Sequence, residues 1–306
     1  MTRAGLQHAA VLYDTRDDLV ATIARPLATA VDAGEAVTVF VDGDVEQALR
    51  ARLGTAGTAV HFEDPAADMG GPAQDMIERR RRKVEDLAAA GQATVVGQYP
   101  VWAAAPDMAL WCSVADAALA GAPLTVLCAC PTSATDSAEV ARALHASVLG
   151  PHGMQPNPDR RDRRDVLAAH PPGPPPPLDP PAAELSFTGA DLRAVRRHVA
   201  EHASAAGLGS AQVQDAVFAV NELATNSVEH GPGHGLLRLW SGGSGFVCEV
   251  VGPAPIGPSL LGLVPPTNDQ PRGRGLWMAR RLCDHLHVWT DSYGTWARLR
   301  IDPAGA

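Results

Sequence analysis

The sequence contains almost no lysine. Lysine and arginine together number 25 in 306 residues, and Lys83 is the single lysine. A phosphate-binding loop of the G-x-x-x-x-G-K-[ST] type requires a lysine directly after a glycine, whereas Lys83 follows Arg82. No G-x-G-x-x-G follows an apolar run of strand length either. The sequence therefore disfavours the commonest nucleotide-binding loops.

Long apolar runs and paired cysteines are also missing. No apolar stretch approaches the ~20 residues of a membrane-spanning helix, and residues 16–18 are charged before any block of signal-peptide length appears. The five cysteines are scattered and odd in number, which indicates buried thiols in a reducing compartment. We therefore expect a cytoplasmic protein without a membrane segment.

The charge is negative and unevenly distributed. The net charge is −9, and residues 1–150 hold 11 basic and 19 acidic side chains, a net of −8. Such a surface repels phosphate backbones and anionic lipid, so we expect no direct contact with nucleic acid or membrane. The apolar fraction of 46% is enough to bury sizeable cores, and the length allows two domains.

Proline divides the chain. Residues 170–181 contain eight prolines, which no helix or central strand accommodates, because proline lacks an N–H and fixes φ. We predict an extended, polyproline-II-like linker; a PxxP ligand for a partner is the alternative to a plain spacer. The predicted organisation is a first domain over 1–150, a linker over 151–183 and a second domain over 184–306.

The first half alternates short apolar runs with amphipathic stretches. This order predicts βαβ units and an α/β domain with a mostly parallel sheet. The charged run 78–83 is expected to lie on a solvated helix face, with a contact surface for an acidic partner as the alternative. The predicted strands are 9–13, 37–41, 60–62, 94–97 and 124–130, and the predicted helices are 15–33, 44–53, 73–90, 106–120 and 136–148.

The second half has a different order, with strands and helices in separate runs. It predicts an α+β domain in which helices cover one face of a mixed sheet. The predicted strands are 185–187, 236–241, 246–251, 286–291 and 295–301, and the predicted helices are 188–206, 210–231 and 274–283.

The helix over 210–230 carries a continuous polar stripe beside its apolar face. Glu222, Asn226 and His230 are spaced i, i+4 and i+8, so they share one side of the helix. Alone, this pattern is typical of an exposed helix face. Two later features favour a functional interpretation. Glycines at 273 and 275 open a helix, where backbone N–H groups can approach a phosphate, and Gly294-Thr295 begins the last strand.

Residues 184–301 resemble the GHKL, or Bergerat-fold, ATPases, and most of all the RsbW-type anti-sigma factor serine kinases. The phrase 221–231, NELATNSVEHG, is similar to the N-box of that family. Residues 273–284 resemble its second glycine box, and Gly294-Thr295 its closing G-T element.

The resemblance implies a role for each matching residue. Asn226 would bind the Mg²⁺ that bridges the ATP phosphates, and Glu222 would be the general base for a serine hydroxyl or would orient a water. The carboxamide oxygen suits Mg²⁺, and the carboxylate lies one helical turn away. The residues expected to contact the nucleotide are Asn226, His230, Gly273, Arg274, Gly275, Leu276 and Thr295.

One position departs from the family pattern. The first glycine box of these ATPases begins with an aspartate that binds the adenine amino group, and Gly252 stands at the matching position. Glu249 has the wrong strand phase to replace it, because alternate strand residues face opposite sides. The alternative to an active kinase is therefore a sequestering module with a degraded adenine pocket.

The first half resembles the MEDS sensory domain, which is often fused ahead of RsbW-like domains. The matching phrases are 8–13, HAAVLY, and 97–102, GQYPVW, together with the strand ending at Cys128. The resemblance implies a signal-input module with a Rossmann- or RecA-like sheet. A sensing pocket for a small molecule is predicted from His8, Tyr13, Trp102, Cys128 and His145, and core packing is the alternative interpretation.

Together the two resemblances imply a cytoplasmic anti-sigma regulator in signal transduction and stress response. The second domain would bind a sigma factor and an anti-anti-sigma protein of the STAS type, and with ATP and Mg²⁺ it would phosphorylate the latter on serine. A histidine kinase is disfavoured, because no dimerisation heptad with a phospho-acceptor histidine precedes residue 210. A homodimer is compatible with the sequence.

Overall fold

The computed structural model describes residues 5–65, 72–99, 104–242, 245–255, 257, 259–266 and 274–304. The chain forms two compact units that divide between His170 and Pro171. Each unit has its own sheet.

The first unit is built on a seven-stranded sheet in the order β3-β2-β4-β5-β1-β6-β7. Five of its six strand pairings are parallel, and only β6 and β7 pair antiparallel. This confirms the predicted α/β class. The strands are β1 Gln7–Tyr13, β2 Ala36–Phe40, β3 Val60–Glu63, β4 Ala93–Gln98, β5 Leu124–Pro131, β6 Ser147–Gly150 and β7 Gly153–Pro156. The helices are α1 Arg16–Asp32, α2 Gly43–Leu53, α3 Ala73–Ala90, α4 Ala105–Ala118, α5 Thr135–Leu144 and α6 Arg163–Ala169.

The two faces of this sheet bury different side chains. Ala9, Val11 and Tyr13 of β1 pack in one cluster with the apolar faces of α1 and α2. Because strand residues alternate, His8 and Ala10 point to the opposite face. Ala10 pairs with Cys128 of β5 in parallel register, so His8 and Cys128 share that second face. A capping box between Thr15 and Asp18 starts α1 directly after β1.

The end of the first unit differs from the prediction. The fifth helix stops at Leu144, and residues 147–156 form the hairpin of β6 and β7 at the sheet edge. Gly153 has a φ of +93°, which suits the tight turn between the two strands. Val166 and Leu167 of α6 are buried, so residues 151–170 of the expected linker are part of this unit. Whether the two units fold independently stays a prediction.

The charged run on α3 is solvated only in part, because Arg79 and Arg82 are exposed whereas Glu78, Arg80 and Arg81 are buried. Arg81 is 2% exposed and donates to both carboxylate oxygens of Glu78 at 2.8 and 2.9 Å. Arg82 also donates to Glu78, and Arg81 contacts Glu85. Spacings of three and four residues align these four side chains along the helix, so their charges neutralise one another.

The second unit is built on a five-stranded sheet in the order β11-β12-β10-β9-β8. All four pairings are antiparallel, so the α+β class is confirmed, but the expected mixed sheet is wrong. The strands are β8 Ala183–Thr188, β9 His234–Gly242, β10 Gly245–Gly252, β11 His285–Asp291 and β12 Gly294–Ile301. The helices are α7 Leu192–Ala205, α8 Ser210–Glu229 and α9 Arg274–Leu282.

The proline-rich segment 171–181, here called the proline strap, is hydrogen-bonded to this sheet. The Nε2 of His287 donates to the carbonyl of Gly173 at 2.8 Å, Nη1 of Arg298 to that of Pro176 at 2.6 Å, and the indole of Trp240 to that of Asp179 at 2.7 Å. The three acceptors are three residues apart, which is the repeat of a polyproline II helix. The predicted extended linker is therefore held as part of the second unit.

No helix among the described residues has both the length and the apolar character needed to cross a bilayer.

Candidate functional site

A cavity of about 540 Å³ lies in the second unit between α8, α9, the loop after β10 and the helix-covered face of the sheet. Its volume is in the range of small-molecule and cofactor pockets. Four of the residues predicted to contact a nucleotide line its wall: Asn226, His230, Leu276 and Thr295.

Helix α8 presents Asn226 and His230 to this cavity because its other side is fixed in the core. Val220 and Ala224 on that other side are both 0% exposed, so the rotation of the helix about its axis is determined by packing. Asn226 faces the cavity from the last full turn, and its carbonyl accepts from the N–H of His230 at the helix end.

Glu222, the predicted general base, lies beside the start of α9 and not in the cavity wall. A Cβ at Gly275 would lie 2.5 Å from Oε2 of Glu222, so the glycine allows the carboxylate to pack against the helix backbone. Arg274 is exposed at the first position of α9, and like Gly275 it lies outside the cavity lining. Gly273 lies outside the described residues.

Ser227 lies against Gly252, the position at which the adenine-binding residue is expected from the sequence. A Cβ at Gly252 would lie 2.9 Å from the Ser227 hydroxyl oxygen, 3.1 Å from its Cβ and 3.3 Å from its Cα. The hydroxyl of Ser227 donates to the carbonyl of Leu223 at 3.1 Å. The space that an aspartate at position 252 needs is thus filled by a neutral side chain from α8.

Glu249 does not supply the missing carboxylate. It accepts from Nη2 of Arg298 at 2.6 Å and from Nε at 2.7 Å, and Arg298 also binds the proline strap. Val250 and Gly252 line the cavity, so Glu249 points to the opposite face of the sheet. The strand phase inferred from the sequence agrees with this placement.

Thr295 has a structural contact within the cavity wall. Its hydroxyl donates to the carbonyl of Ala254 at 2.7 Å, which ties the start of the loop after β10 to β12. Farther along the same loop, Ser259 to Gly262 and Val264 form another part of the wall. Leu261 and Leu263 of this stretch are 5% and 0% exposed. They anchor that part of the wall in the core.

The cavity fits a nucleotide only in part. The carboxamide of Asn226 suits a Mg²⁺ ligand in the wall, and the volume is sufficient. Beside Gly252 the neutral hydroxyl of Ser227 stands in place of a carboxylate, so a hydrogen bond accepted there would not be charge-assisted.

In the first unit, three of the five residues predicted for a sensory pocket meet in one buried cluster. His8 from β1, Cys128 from β5 and His145 from the end of α5 are 7%, 2% and 1% exposed. Cys112 from α4, 1% exposed, completes the group. All four ligating atoms lie within 4.8 Å of one another. We call these four residues the Cys2His2 cluster.

Tyr13 and Trp102 are not part of this cluster. Tyr13 packs on the α1 side of the sheet, and its hydroxyl accepts from Nε2 of Gln98 at 3.1 Å. Trp102 lies outside the described residues. A separate cleft of about 610 Å³ lies near the starts of α4 and α5, and it is lined by none of the four predicted residues that the structure describes.

Charge is concentrated in the Cys2His2 cluster. Burial alone lowers the pKa of His8, but the charge of the Cys128 thiolate and the hydrogen bond to Asp116 outweigh it and raise that pKa to about 9. A hydrogen bond with Cys112 and the charge of His8 hold the pKa of Cys128 well below its ordinary value. Burial raises the pKa of Cys112.

Sequence reasoning missed Cys112, Asp116 and Ser227. Cys112 and Asp116 are four residues apart on α4, a spacing that places both on one helix side and was available as a signal. Ser227 directly follows Asn226, but its contact with Gly252 joins positions 25 residues apart. No local pattern indicates such a contact.

Comparison with known families agrees with both halves of the structure. Residues 7–146 match the family model of MEDS, the methanogen/methylotroph, DcmR sensory domain, and residues 185–301 match that of the histidine kinase-like ATPase domain. No curated protein matches the chain significantly. A sensory domain joined to a kinase-like ATPase domain is the composition of a regulatory signalling protein. The chain is a fusion of a MEDS sensory domain and a histidine kinase-like ATPase domain.

Proposed function

We propose that this chain is an anti-sigma regulator whose ATPase-like domain acts by binding protein partners and has lost tight adenine recognition. The observation that supports this is the contact between Ser227 and Gly252 at the adenine end of the cavity. A charge-assisted hydrogen bond contributes roughly 1.5–3 kcal/mol, so its loss weakens ATP binding by roughly ten- to a hundredfold.

The proposed partners are a sigma factor and a STAS-type anti-anti-sigma protein. This follows from the N-box phrase and the second glycine box, which are most similar to those of the RsbW-type kinases. The MEDS domain would supply the input, a small-molecule signal that controls which partner is bound. The net charge of −9 supports a protein partner over nucleic acid.

A second candidate is an active serine kinase, favoured by one observation. Asn226 retains its place in the cavity wall, and Glu222 precedes it by one helical turn. In that case Asn226 would hold Mg²⁺ and Glu222 would accept the proton of the partner's serine. The magnesium ion would neutralise charge on the transferred phosphate.

Calorimetry with ATP and Mg²⁺ on the full chain separates the two candidates. If the domain acts only by binding protein partners, its binding of ATP should be weak or undetectable. Asn226→Ala should then remove whatever Mg²⁺-dependent ATP binding remains. His202→Ala is a matched control, because His202 contacts Ser241 and not the cavity. A low-micromolar dissociation constant together with phosphorylation of a STAS protein would favour the kinase.

Affinity capture tests the partner class. With the full chain as bait in a lysate of its host, we expect a sigma factor or a single-domain STAS protein at physiological salt. Recovery of salt-sensitive nucleic acid, with neither protein class, would contradict the proposal.

A further inference from the structure

The two histidines of the Cys2His2 cluster direct their Nε2 atoms at each other. His8 Nε2 and His145 Nε2 are 3.1 Å apart in the buried interior. His8 Nδ1 lies 2.7 Å from a carboxylate oxygen of Asp116, and His145 Nδ1 lies 2.7 Å from the carbonyl oxygen of Ala141. Both of these oxygens only accept, so both Nδ1 atoms carry the proton.

Two neutral imidazoles in this arrangement would oppose their Nε2 lone pairs. Lone pairs at 3.1 Å repel unless a proton or a metal ion lies between them. Two sulfur atoms are placed around the same point, since Cys128 Sγ is 3.3 Å from His8 Nε2, and Cys112 Sγ is 3.7 Å from His145 Nε2. Four soft or borderline ligand atoms thus converge where a cation would sit.

The spacing of these atoms agrees with tetrahedral coordination. Zinc lies about 2.3 Å from sulfur ligands and about 2.0–2.1 Å from nitrogen ligands. In a tetrahedral site, two nitrogen ligands are then about 3.3 Å apart, and a sulfur and a nitrogen ligand are about 3.6 Å apart. In the structure the two nitrogen atoms are 3.1 Å apart, and the two sulfur–nitrogen distances given above are 3.3 and 3.7 Å. No pair in the cluster exceeds 4.8 Å.

The surroundings also have the form of a metal site. Histidines that bind metals donate their second ring N–H to a carboxylate or a backbone carbonyl, which fixes the ring and its tautomer. Asp116 and the carbonyl of Ala141 do this for His8 and His145. All four ligand residues are buried, which is typical of a closed structural zinc site with no open position for substrate.

We propose that His8, Cys112, Cys128 and His145 bind a single zinc ion inside the MEDS domain. Two thiolates and two imidazoles would complete a tetrahedral site. The ion would connect β1, β5, α4 and the end of α5, elements whose ligands lie up to 137 residues apart in the chain. The MEDS domain would then lose stability when the ion is removed, because the unfolded chain has no preformed site.

The first test uses the full-length wild-type chain, kept reduced and purified without chelator. We expect close to one zinc per chain by elemental analysis, and a lower thermal midpoint after chelation that zinc restores. Cobalt loaded in its place should give the visible absorption of tetrahedral thiolate coordination. A chain that takes up no zinc, and whose midpoint is indifferent to chelator and zinc, would show a metal-free imidazolium–thiolate cluster instead.

The second test uses variants. Cys112→Ser should lose the zinc, and Cys130→Ser is the matched control, because Cys130 is buried on the same strand as Cys128 but is outside the cluster. Asp116→Asn removes only a positioning carboxylate at a partly exposed site. It should weaken zinc binding roughly 10–100-fold in a chelator competition while keeping the cobalt spectrum.

Two variant results would overturn the site. One is a Cys130→Ser chain that loses zinc as fully as Cys112→Ser. The other is an Asp116→Asn chain whose zinc affinity equals that of the wild type. If Cys112→Ser does not fold, the wild-type zinc content and the Asp116→Asn affinity decide.

Discussion

The guanidinium of Arg280 donates twice to the carbonyl oxygen of Leu261, with distances of 3.0 Å from Nη2 and 3.3 Å from Nε. Its Nη1 donates to the carbonyl of Leu286 at 2.7 Å. Arg280 is 5% exposed, and it connects α9, β11 and the loop that forms part of the cavity wall. Leu261 has a φ of +51°, so the loop adopts an uncommon backbone conformation at the point where this arginine holds it.

Replacing Arg280 by methionine should loosen this loop and destabilise the second unit. The change leaves two buried carbonyls without these donors, at a cost of about 2–4 kcal/mol. Urea unfolding followed by tryptophan fluorescence measures the loss. Arg281→Ala is the control, because Arg281 is exposed on the same helix. A loss no larger than that of the control would show that the loop is held by its leucines alone.

Restoring the aspartate at position 252 should require a second change. Gly252→Asp alone places its Cβ against Ser227, so it should destabilise the fold and bring little gain in ATP affinity. The double variant Gly252→Asp with Ser227→Ala removes the 2.9 Å contact with the hydroxyl, so only a small shift at the 3.1 Å contact with Cβ is still needed. It supplies the carboxylate and should raise ATP affinity roughly ten- to a hundredfold. Ser227→Ala alone is the control. Equal ATP affinity in the double variant and the wild type would contradict the degraded-pocket interpretation.

Trypsin should cut first between the end of β7 and the first turn of α6. Arg160, Arg161, Arg163 and Arg164 are all exposed there, whereas the proline strap offers no arginine and is bound to the sheet. We expect two fragments that keep the helical and sheet signals of the intact chain. Main cuts within residues 5–150, or unfolding after the first cut, would show that the division into two folding units is wrong.

Acid should remove the contribution of Glu78 to the stability of the folded state. Burial by itself raises the pKa of Glu78, but hydrogen bonds and charge from Arg81 and Arg82 outweigh it and lower that pKa below 4.5. Because the pKa of Glu78 is lower in the folded state than its value of 4.5 in the unfolded chain, the ionised carboxylate stabilises the folded state at pH values above 4.5. This stabilisation is lost as the pH falls through the pKa of the folded state.

The variant Glu78→Gln measures this effect. At pH 7 it should cost about 1.5–3 kcal/mol, and its difference from the wild type should shrink as the pH falls below 4.5. Glu46→Gln, which breaks the helix pair with Arg50, should cost no more than about 0.5 kcal/mol. A difference between Glu78→Gln and the wild type that grows in acid would contradict the sign of the shift.

The sequence predicted the helices and strands whose residues follow a regular local pattern. It missed the features that depend on a contact between distant parts of the chain. Periodicity and glycine stops placed α8 and α9, as well as β1 and β5, because those patterns are local. The hairpin of β6 and β7 was missed, since it has few apolar residues and ends in Pro156. The buried ion network on α3 was taken for a surface, because composition does not reveal which charges neutralise one another.

In the candidate sites too, local patterns predicted which way a side chain faces but not the contacts between distant residues. The N-box spacing predicted that Asn226 and His230 face one way, and both line the cavity. The phase of β10 likewise predicted where Glu249 points. The filling of the space at Gly252 by Ser227, and the addition of Cys112 to the histidines, each depend on packing between elements far apart in sequence.

The proline strap has a fixed length that composition alone does not suggest. Its anchor carbonyls belong to Gly173, Pro176 and Asp179. One residue inserted between two anchors would turn the following carbonyl by about a third of a helical turn and displace it by about 3 Å. Both changes exceed what a hydrogen bond tolerates. Insertions and deletions here are therefore accommodated only in steps of three, as a reading frame tolerates codons and not single bases.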